Sequence, residues 1–201
     1  MSFKLSVKRI AAVAALAFGM SLAVVPAQAV GPAVILVVDT QGVFAQSKAG
    51  QSIRSQYEEQ AKKIMADGKK TDDALQADAK KLSDERALLS QEDLQKRVQT
   101  LQQRTVDFQQ SMQIKQQGLQ LGVQRAESQV EAALRPIFAE IMKEKGGTIL
   151  LDQAVVLAGG ADLDISAEVL KRLNEKLAKV DVKALTKEEI EAAQKAAANG
   201  R

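Results

Sequence analysis

Apolar residues recur at intervals of three and four along two long segments in the middle of the chain. In the first segment, from Gln51 to about Ser90, the repeating positions are Ile53, Tyr57, Ala61, Ile64, Gly68, Leu75, Ala79, Leu82 and Leu89. In the second they are Leu94, Val98, Leu101, Thr105, Phe108, Met112, Lys115, Leu119, Val123, Ala126, Val130, Leu134, Ile137 and Ile141. This spacing predicts two helices, each with one narrow apolar seam, that are joined near Ser90 and run antiparallel.

The predicted hairpin is too long to fit inside a compact domain. At about 1.5 Å per residue, the first helix alone would be nearly 60 Å long. We therefore expect residues 51–145 to project as an arm. Three glycines, Gly68, Gly118 and Gly122, lie inside this arm, where each costs about 1 kcal/mol of helix stability relative to Ala. Close helix packing, neutral drift and flexing of the arm would each account for them.

Short apolar runs on either side of the hairpin predict a small β structure. Residues 34–38, 148–152 and 154–157 are rich in Val, Ile and Leu and predict strands, and Ser166 is expected to cap a helix. The predicted fold class is therefore α+β, mostly α, with a long antiparallel hairpin attached to a β body.

The body comprises residues 30–50 and 146–180. A unit of about 50 residues seldom buries enough surface to be stable alone, so we expect it to oligomerise. The Ala-rich tail, residues 181–201, contains a possible cap at Thr186 and Glu189. We expect this tail to be a frayed helix or disordered.

The N-terminus has the order of a secretory signal peptide. Three basic residues precede an apolar run from Ile10 to Val25, and Ala27-Gln28-Ala29 follows. The run is shorter than the roughly 20 residues needed to span a membrane. We predict that residues 1–29 are a signal peptide cleaved after Ala29, and that the mature chain is exported to the periplasm.

Composition excludes several classes of function. The chain contains no Cys and no His, so thiol chemistry, imidazole-based triads and His-ligated metal sites are ruled out. We expect no catalytic residue, metal or cofactor. Residues 1–29 carry three of the 28 basic residues and none of the 25 acidic residues, so the remaining chain is formally neutral. Neutral charge and few aromatic residues argue against binding of nucleic acid.

Several short sequences around the hairpin resemble the Skp/OmpH family of periplasmic chaperones. The order of these sequences around a helical hairpin is fairly specific. They are, in order, residues 34–39, Val43-Phe44, residues 47–50, Pro136-Ile137, Lys145-Gly146, residues 149–152 and residues 163–166.

The resemblance implies a homotrimer shaped like a jellyfish, in which three helical arms project from a β-barrel body. Such a chaperone holds unfolded outer-membrane β-barrel proteins, its clients, in the cavity between the arms and without ATP. A further contact with membrane or lipopolysaccharide would be weak, because residues 69–104 carry eight basic and seven acidic side chains.

A surface that holds unfolded chains needs apolar groups that are accessible but dispersed. At 100° per residue, Val106, Ile114 and Leu121 lie opposite the seam of the second helix and are candidate client contacts. They could equally pack against a bent helix or a neighbouring arm. Met65 is a further candidate because its thioether adapts to irregular partners.

The turn and the arm charges supply the remaining candidates. Leu88 and Leu89 either close the turn or contact clients. The basic side chains of the outer arm either form a solvated face or help to keep a captured chain soluble; they are Lys80, Lys81, Arg86, Lys96 and Arg97.

Two other functions compete with this interpretation. A structural or lipid-binding coiled-coil protein of the cell envelope would need only a polar arm as a spacer. An enzyme would need paired carboxylates, but the adjacent Asp72 and Asp73 point about 100° apart on a helix and are not surrounded by a predicted pocket.

Overall fold

The structure is a computed structural model, and it describes residues 32–199. The predicted signal peptide, residues 1–29, and its cleavage after Ala29 lie outside the described residues. The regular elements are β1 (Ile35–Val38), α1 (Thr40–Gln46), α2 (Lys48–Glu85), α3 (Gln91–Lys145), β2 (Ile149–Asp152), α4 (Ser166–Lys176) and α5 (Lys187–Asn199). Helices dominate and a small sheet accompanies them, which confirms the expectation of a mostly α, α+β fold.

The two strands form a parallel pair, with Ile35 opposite Ile149 and Val38 opposite Asp152. The expected third strand, residues 154–157, is wrong. A short 3₁₀ helix occupies Gln153–Val155 instead. Its cause is local, because the Asp152 carboxylate accepts a hydrogen bond from the backbone N–H of Ala154 at 2.8 Å and turns the chain directly after β2.

Side-chain caps fix where the first helices begin. Asp39 ends β1 and caps α1 by accepting a hydrogen bond from the backbone N–H of Gly42. Ser47 is fully buried and caps α2 through the backbone N–H of Gly50 at 2.9 Å. The long helix therefore starts at Lys48, slightly before the predicted arm.

Helices α2 and α3 form the predicted hairpin, with 38 and 55 residues. Ser90 caps α3 by accepting a hydrogen bond from the N–H of Asp93, as the sequence predicted. At the other end, Gly146 adopts a left-handed conformation with φ of 64°, which terminates α3 before β2. Ion pairs between Asp78 and Arg104 and between Glu85 and Arg97 connect the two helices in the outer hairpin.

The core lies where the base of the hairpin meets the sheet and α4. Its most completely buried side chains include Ile137 and Ile141 from α3 and Val169 and Leu173 from α4. The hairpin base thus supplies much of the body's core.

The C-terminal tail is more ordered than expected. After α4, residues 178–186 run along the hairpin without regular secondary structure, and α5 follows. We call residues 178–186 the strap. Val180, Val182 and Leu185 of the strap and Ile190 of α5 are all buried. The Thr186–Glu189 capping box is confirmed, because each residue's backbone N–H donates to the other's side chain.

Candidate functional site

The apolar residues predicted to bind clients are exposed to different degrees. Met65 in α2 is 70% exposed, Val106 in α3 is 55% exposed and Leu88 in the turn is 87% exposed. They lie at the middle, in the outer part and at the tip of the hairpin. Single apolar groups at separate positions offer several weak contacts without forming one large adhesive patch.

The other three predicted contact residues are half-buried, namely Ile114, Leu121 and Leu89. At 100° per residue, Ile114 and Leu121 lie within roughly 60° of Gly118 around α3. Gly118 contacts the strap, since its carbonyl accepts a hydrogen bond from the N–H of Leu185 at 3.0 Å. The strap therefore lies on the side of α3 that the sequence predicted to be open.

Sequence reasoning missed the accessibility of Tyr57, which it assigned to the seam. Tyr57 is 43% exposed and borders a shallow cavity of about 200 Å³ between the two helices. The cavity is lined by Tyr57, Ala61, Ile64, Met65, Gln116, Leu119 and Gln120. One signal was available, because a tyrosine has an apolar ring and a polar hydroxyl and so favours partly exposed positions.

The body also exposes large apolar side chains. Val34 and Ile35 at the start of β1 and Ile149 at the start of β2 are exposed, as are Val155 and Leu157 after β2. These residues belong to the sheet and to the loop that directly follows it. Exposed apolar side chains at the start of the sheet and in the segment after β2 are typical of surfaces that pack against another protein chain.

A family model described as outer membrane protein (OmpH-like) matches residues 34–173, which include β1, the hairpin, β2 and most of α4. The chain belongs to the OmpH-like family. This finding confirms the resemblance to the Skp/OmpH family that the short sequences around the hairpin suggested.

A solved structure has the same OmpH-like fold. It is the 2.83 Å crystal structure of a candidate outer membrane chaperone (OmpH-like) from Caulobacter crescentus CB15. The TM-score is 0.72 at 19% sequence identity, over 76% of this chain and 90% of that chain. No curated protein matches this chain. At such low identity the similarity establishes the architecture alone.

Most predicted arm charges of this OmpH-like hairpin are engaged in ion pairs. Lys81 and Arg97 both lie near Glu85, at 3.9 and 2.9 Å, and Lys96 lies 4.0 Å from Glu92. Within residues 32–199, Lys80 and Arg86 form no ion pair shorter than 4 Å. The outer arm therefore presents little concentrated positive charge.

A charged cluster joins α4 to the base of the hairpin. Arg172 contacts Glu144 at 2.5 Å and also pairs with Glu140 and Glu168. The hydrogen bond from Arg172 lowers the pKa of Glu144. The pKa of Glu168 is lowered by a hydrogen bond from Lys145 and further by Arg172. The cluster is an ion-pair network that connects α4 to the base of the hairpin. The opposite charges around Arg172 stabilise the charged state of each partner.

The strap and α5 lie mainly beyond the part matched by the OmpH-like family model, which ends at residue 173. Helix α5 contacts α3. The pKa of Glu189 in α5 is lowered mainly by the backbone N–H of Thr186 and further by the positive charge of Arg125.

Among the residues that the structure describes, no helix combines the length and apolarity needed to cross a bilayer. Within the same range, no cluster of three or more potential metal-ligating side chains is present.

Proposed function

We propose that this OmpH-like protein is an ATP-independent periplasmic holdase that keeps unfolded outer-membrane β-barrel proteins soluble during transit. The observation that carries the proposal is the series of exposed apolar side chains along the hairpin, at Met65, Val106 and Leu88. Each contact would be weak, but many contacts to one flexible client add up to useful retention. Weak individual contacts also let the client leave without an energy source.

The working form would be a homotrimer in which three hairpins surround the client. Support comes from the apolar body surface, where Leu157 and Val155 are the most exposed residues. The described sheet has only two strands, and a sheet of this size is marginally stable by itself. Packing three such surfaces together would bury these side chains and complete the body.

Export would follow from the predicted signal peptide, residues 1–29. The Caulobacter crescentus protein, described as an outer membrane chaperone candidate, supports the same class of function for this chain.

A second candidate is a structural or lipid-binding role of the coiled-coil arm in the envelope. It is favoured by the arm tip, where Leu88 is exposed and Lys80 and Arg86 are available to anionic headgroups. Neutralising Lys80 and Arg86 separates the two functions. A chaperone should lose only part of the salt dependence of client capture, whereas a lipid-binding arm should lose binding to vesicles that contain an anionic lipid.

Holding is tested by light scattering. A urea-unfolded outer-membrane β-barrel protein is diluted into buffer with chelator and without nucleotide, alone or with the full-length mature protein. We expect the protein to suppress aggregation. Suppression that requires ATP, or none at any ratio, would contradict the proposal.

A shortened-arm variant is the matched control. Replacing residues 70–110 by a short turn removes the tip but keeps Gly68 beside Met112, the cavity near Tyr57 and the strap. It also keeps the hairpin base, which supplies the body core. We expect this variant to remain oligomeric and to hold clients less well than the wild type, because it lacks Leu88 and Val106 but keeps Met65.

A further inference from the structure

The strap is held on the hairpin by backbone hydrogen bonds as well as by its buried side chains. The Gln56 side chain donates to the carbonyl of Val180 at 2.7 Å and accepts from the N–H of Val182 at 2.9 Å. Gln60 donates to the carbonyl of Val182 at 2.8 Å. Gln56 thus bonds the C=O of one residue and the N–H of the second residue after it, as a neighbouring residue in a parallel strand would.

Two helix glycines let the strap approach closely. A Cβ atom on Gly118 would lie 2.2 Å from the carbonyl oxygen of Leu185, and one on Gly122 would lie 2.3 Å from that of Lys183. Any side chain at either position would collide with the strap backbone. These glycines weaken α3 as an isolated helix, but without side chains they leave a groove in which a polypeptide backbone can lie directly against the helix.

Residues 180–183 of the strap alternate between buried and exposed side chains, and the alternation ends at Ala184, which is exposed, before Leu185, which is buried. Val180 and Val182 are buried, whereas Asp181 and Lys183 between and after them are exposed. Backbone hydrogen bonds do not depend on sequence, so the part of the groove that holds residues 180–183 requires only an extended chain with two apolar residues two positions apart. Transmembrane β-strands have this same alternating pattern.

We propose that the groove formed by Gln56, Gln60, Gly118 and Gly122 is a binding site for extended segments with alternating apolar side chains, and that the strap occupies it until a client segment replaces it. The inference rests on the proposed holdase function and adds a defined client site to it. Because the strap is tethered to the hairpin, its effective concentration at the groove is in the millimolar range expected for a short flexible linker. A client must compete with this concentration, so only a client that offers several suitable segments would displace the strap.

Hydrogen–deuterium exchange on the wild-type, full-length mature protein tests directly whether a client replaces the strap. The N–H groups of Val182 and Leu185 are bonded to Gln56 and Gly118 when the strap is bound. Adding an unfolded outer-membrane β-barrel protein should speed the exchange of peptides covering residues 180–185 at least tenfold. If light scattering shows that the client is held while these amides stay protected, the groove inference is wrong and the holdase function stands.

A second experiment does not depend on the holdase function. In the full chain, Val180→Asp with Val182→Asp should release the strap, with circular dichroism confirming the helices. The probe is a fluorescent synthetic peptide copying residues 178–186 of the wild type. We expect the released protein to bind it at least tenfold more tightly than the wild type does. Failure of the folded variant to bind the peptide would overturn the inference.

Glycine substitutions supply a matched control pair. Adding Gly118→Ala to the released protein should reduce peptide binding at least tenfold, because the new methyl group fills the groove. Gly68→Ala makes the same chemical change in α2, where the nearest atoms belong to the flexible end of Met112. It should leave peptide binding unchanged. Equal effects of the two substitutions would show that the peptide binds elsewhere.

Discussion

Two pairs of glutamine substitutions should separate client contact from packing on the hairpin. The exposed pair is Met65→Gln with Val106→Gln, and the half-buried pair is Ile114→Gln with Leu121→Gln. All four changes remove an apolar side chain from a helix and introduce a good helix former. The pairs therefore differ chiefly in how much apolar surface the folded chain already covers.

The burial of each pair sets the expected stability changes. Full burial of a side chain of this size stabilises a protein by about 1.5 to 3 kcal/mol, so half-burial corresponds to roughly 1 kcal/mol each. The half-buried pair should thus lose about 2 kcal/mol, which lowers Tm by about 4 to 8 °C in a chain of this length. Exposed substitutions usually change stability by less than about 0.5 kcal/mol, so the exposed pair should shift Tm little.

Two assays should rank the two pairs in opposite orders. The first measures Tm by circular dichroism, and the second measures suppression of client aggregation by light scattering. The exposed pair should melt like the wild type and hold clients poorly. The half-buried pair should melt early yet retain most of its holding at 20 °C. If the exposed pair holds clients normally, Met65 and Val106 are not client contacts. A normal Tm for the half-buried pair would show that Ile114 and Leu121 are not packed.

Three further predictions concern the body and its oligomer. Leu157→Asp should leave the helices intact but dissociate the oligomer, as measured by analytical ultracentrifugation; an unchanged mass would exclude this surface from the interface. The folded-state pKa values of Glu144 and Glu168 are lowered, so their contribution to stability is complete above the ordinary glutamate pKa and is lost as pH falls through the lowered values. The Tm of the wild type should therefore fall between about pH 5 and 3. The Tm of the Arg172→Gln variant should fall less steeply, and the same pH profile for both proteins would argue against a stabilising role of the cluster. Ile137→Ala, at a fully buried position, should cost about 2 to 5 kcal/mol in urea unfolding, and a loss below about 1 kcal/mol would mean that the hairpin base is not part of the core.

The hairpin could be predicted from sequence because its signals are local and repeated. Each turn of α2 and α3 adds another apolar residue to the seam, so the period is visible over many residues. The helix ends are also local, as the caps at Asp39, Ser90 and Gly146 depend on side chains or backbone angles within a few residues. Such features require no knowledge of distant contacts.

The missing third strand and the ordered strap could not be predicted in the same way. Residues 154–157 have strand-forming composition, but a single hydrogen bond to Asp152 turns the chain before them. The strap is a short segment of mixed apolar and charged residues, and its position depends on Gln56 and Gly118, more than 60 residues away in the chain. The half-burial of Ile114 and Leu121 was not visible in the sequence either, and the strap lies on their side of α3.

The strap covers one side of the hairpin and leaves the opposite side open. This difference indicates which apolar side chains a client can reach first. At 100° per residue, Gln116 and Gln120 are roughly 160° from Gly118 around α3. The cavity that they border with Tyr57 and Met65 is therefore on the side opposite the strap. On that side an apolar ring and a thioether are accessible without any rearrangement. A client should thus contact the Tyr57 side first and reach the groove only after the strap has left it. Tyr57→Ser should therefore slow the initial capture of a client, whereas Gln56→Ala should not.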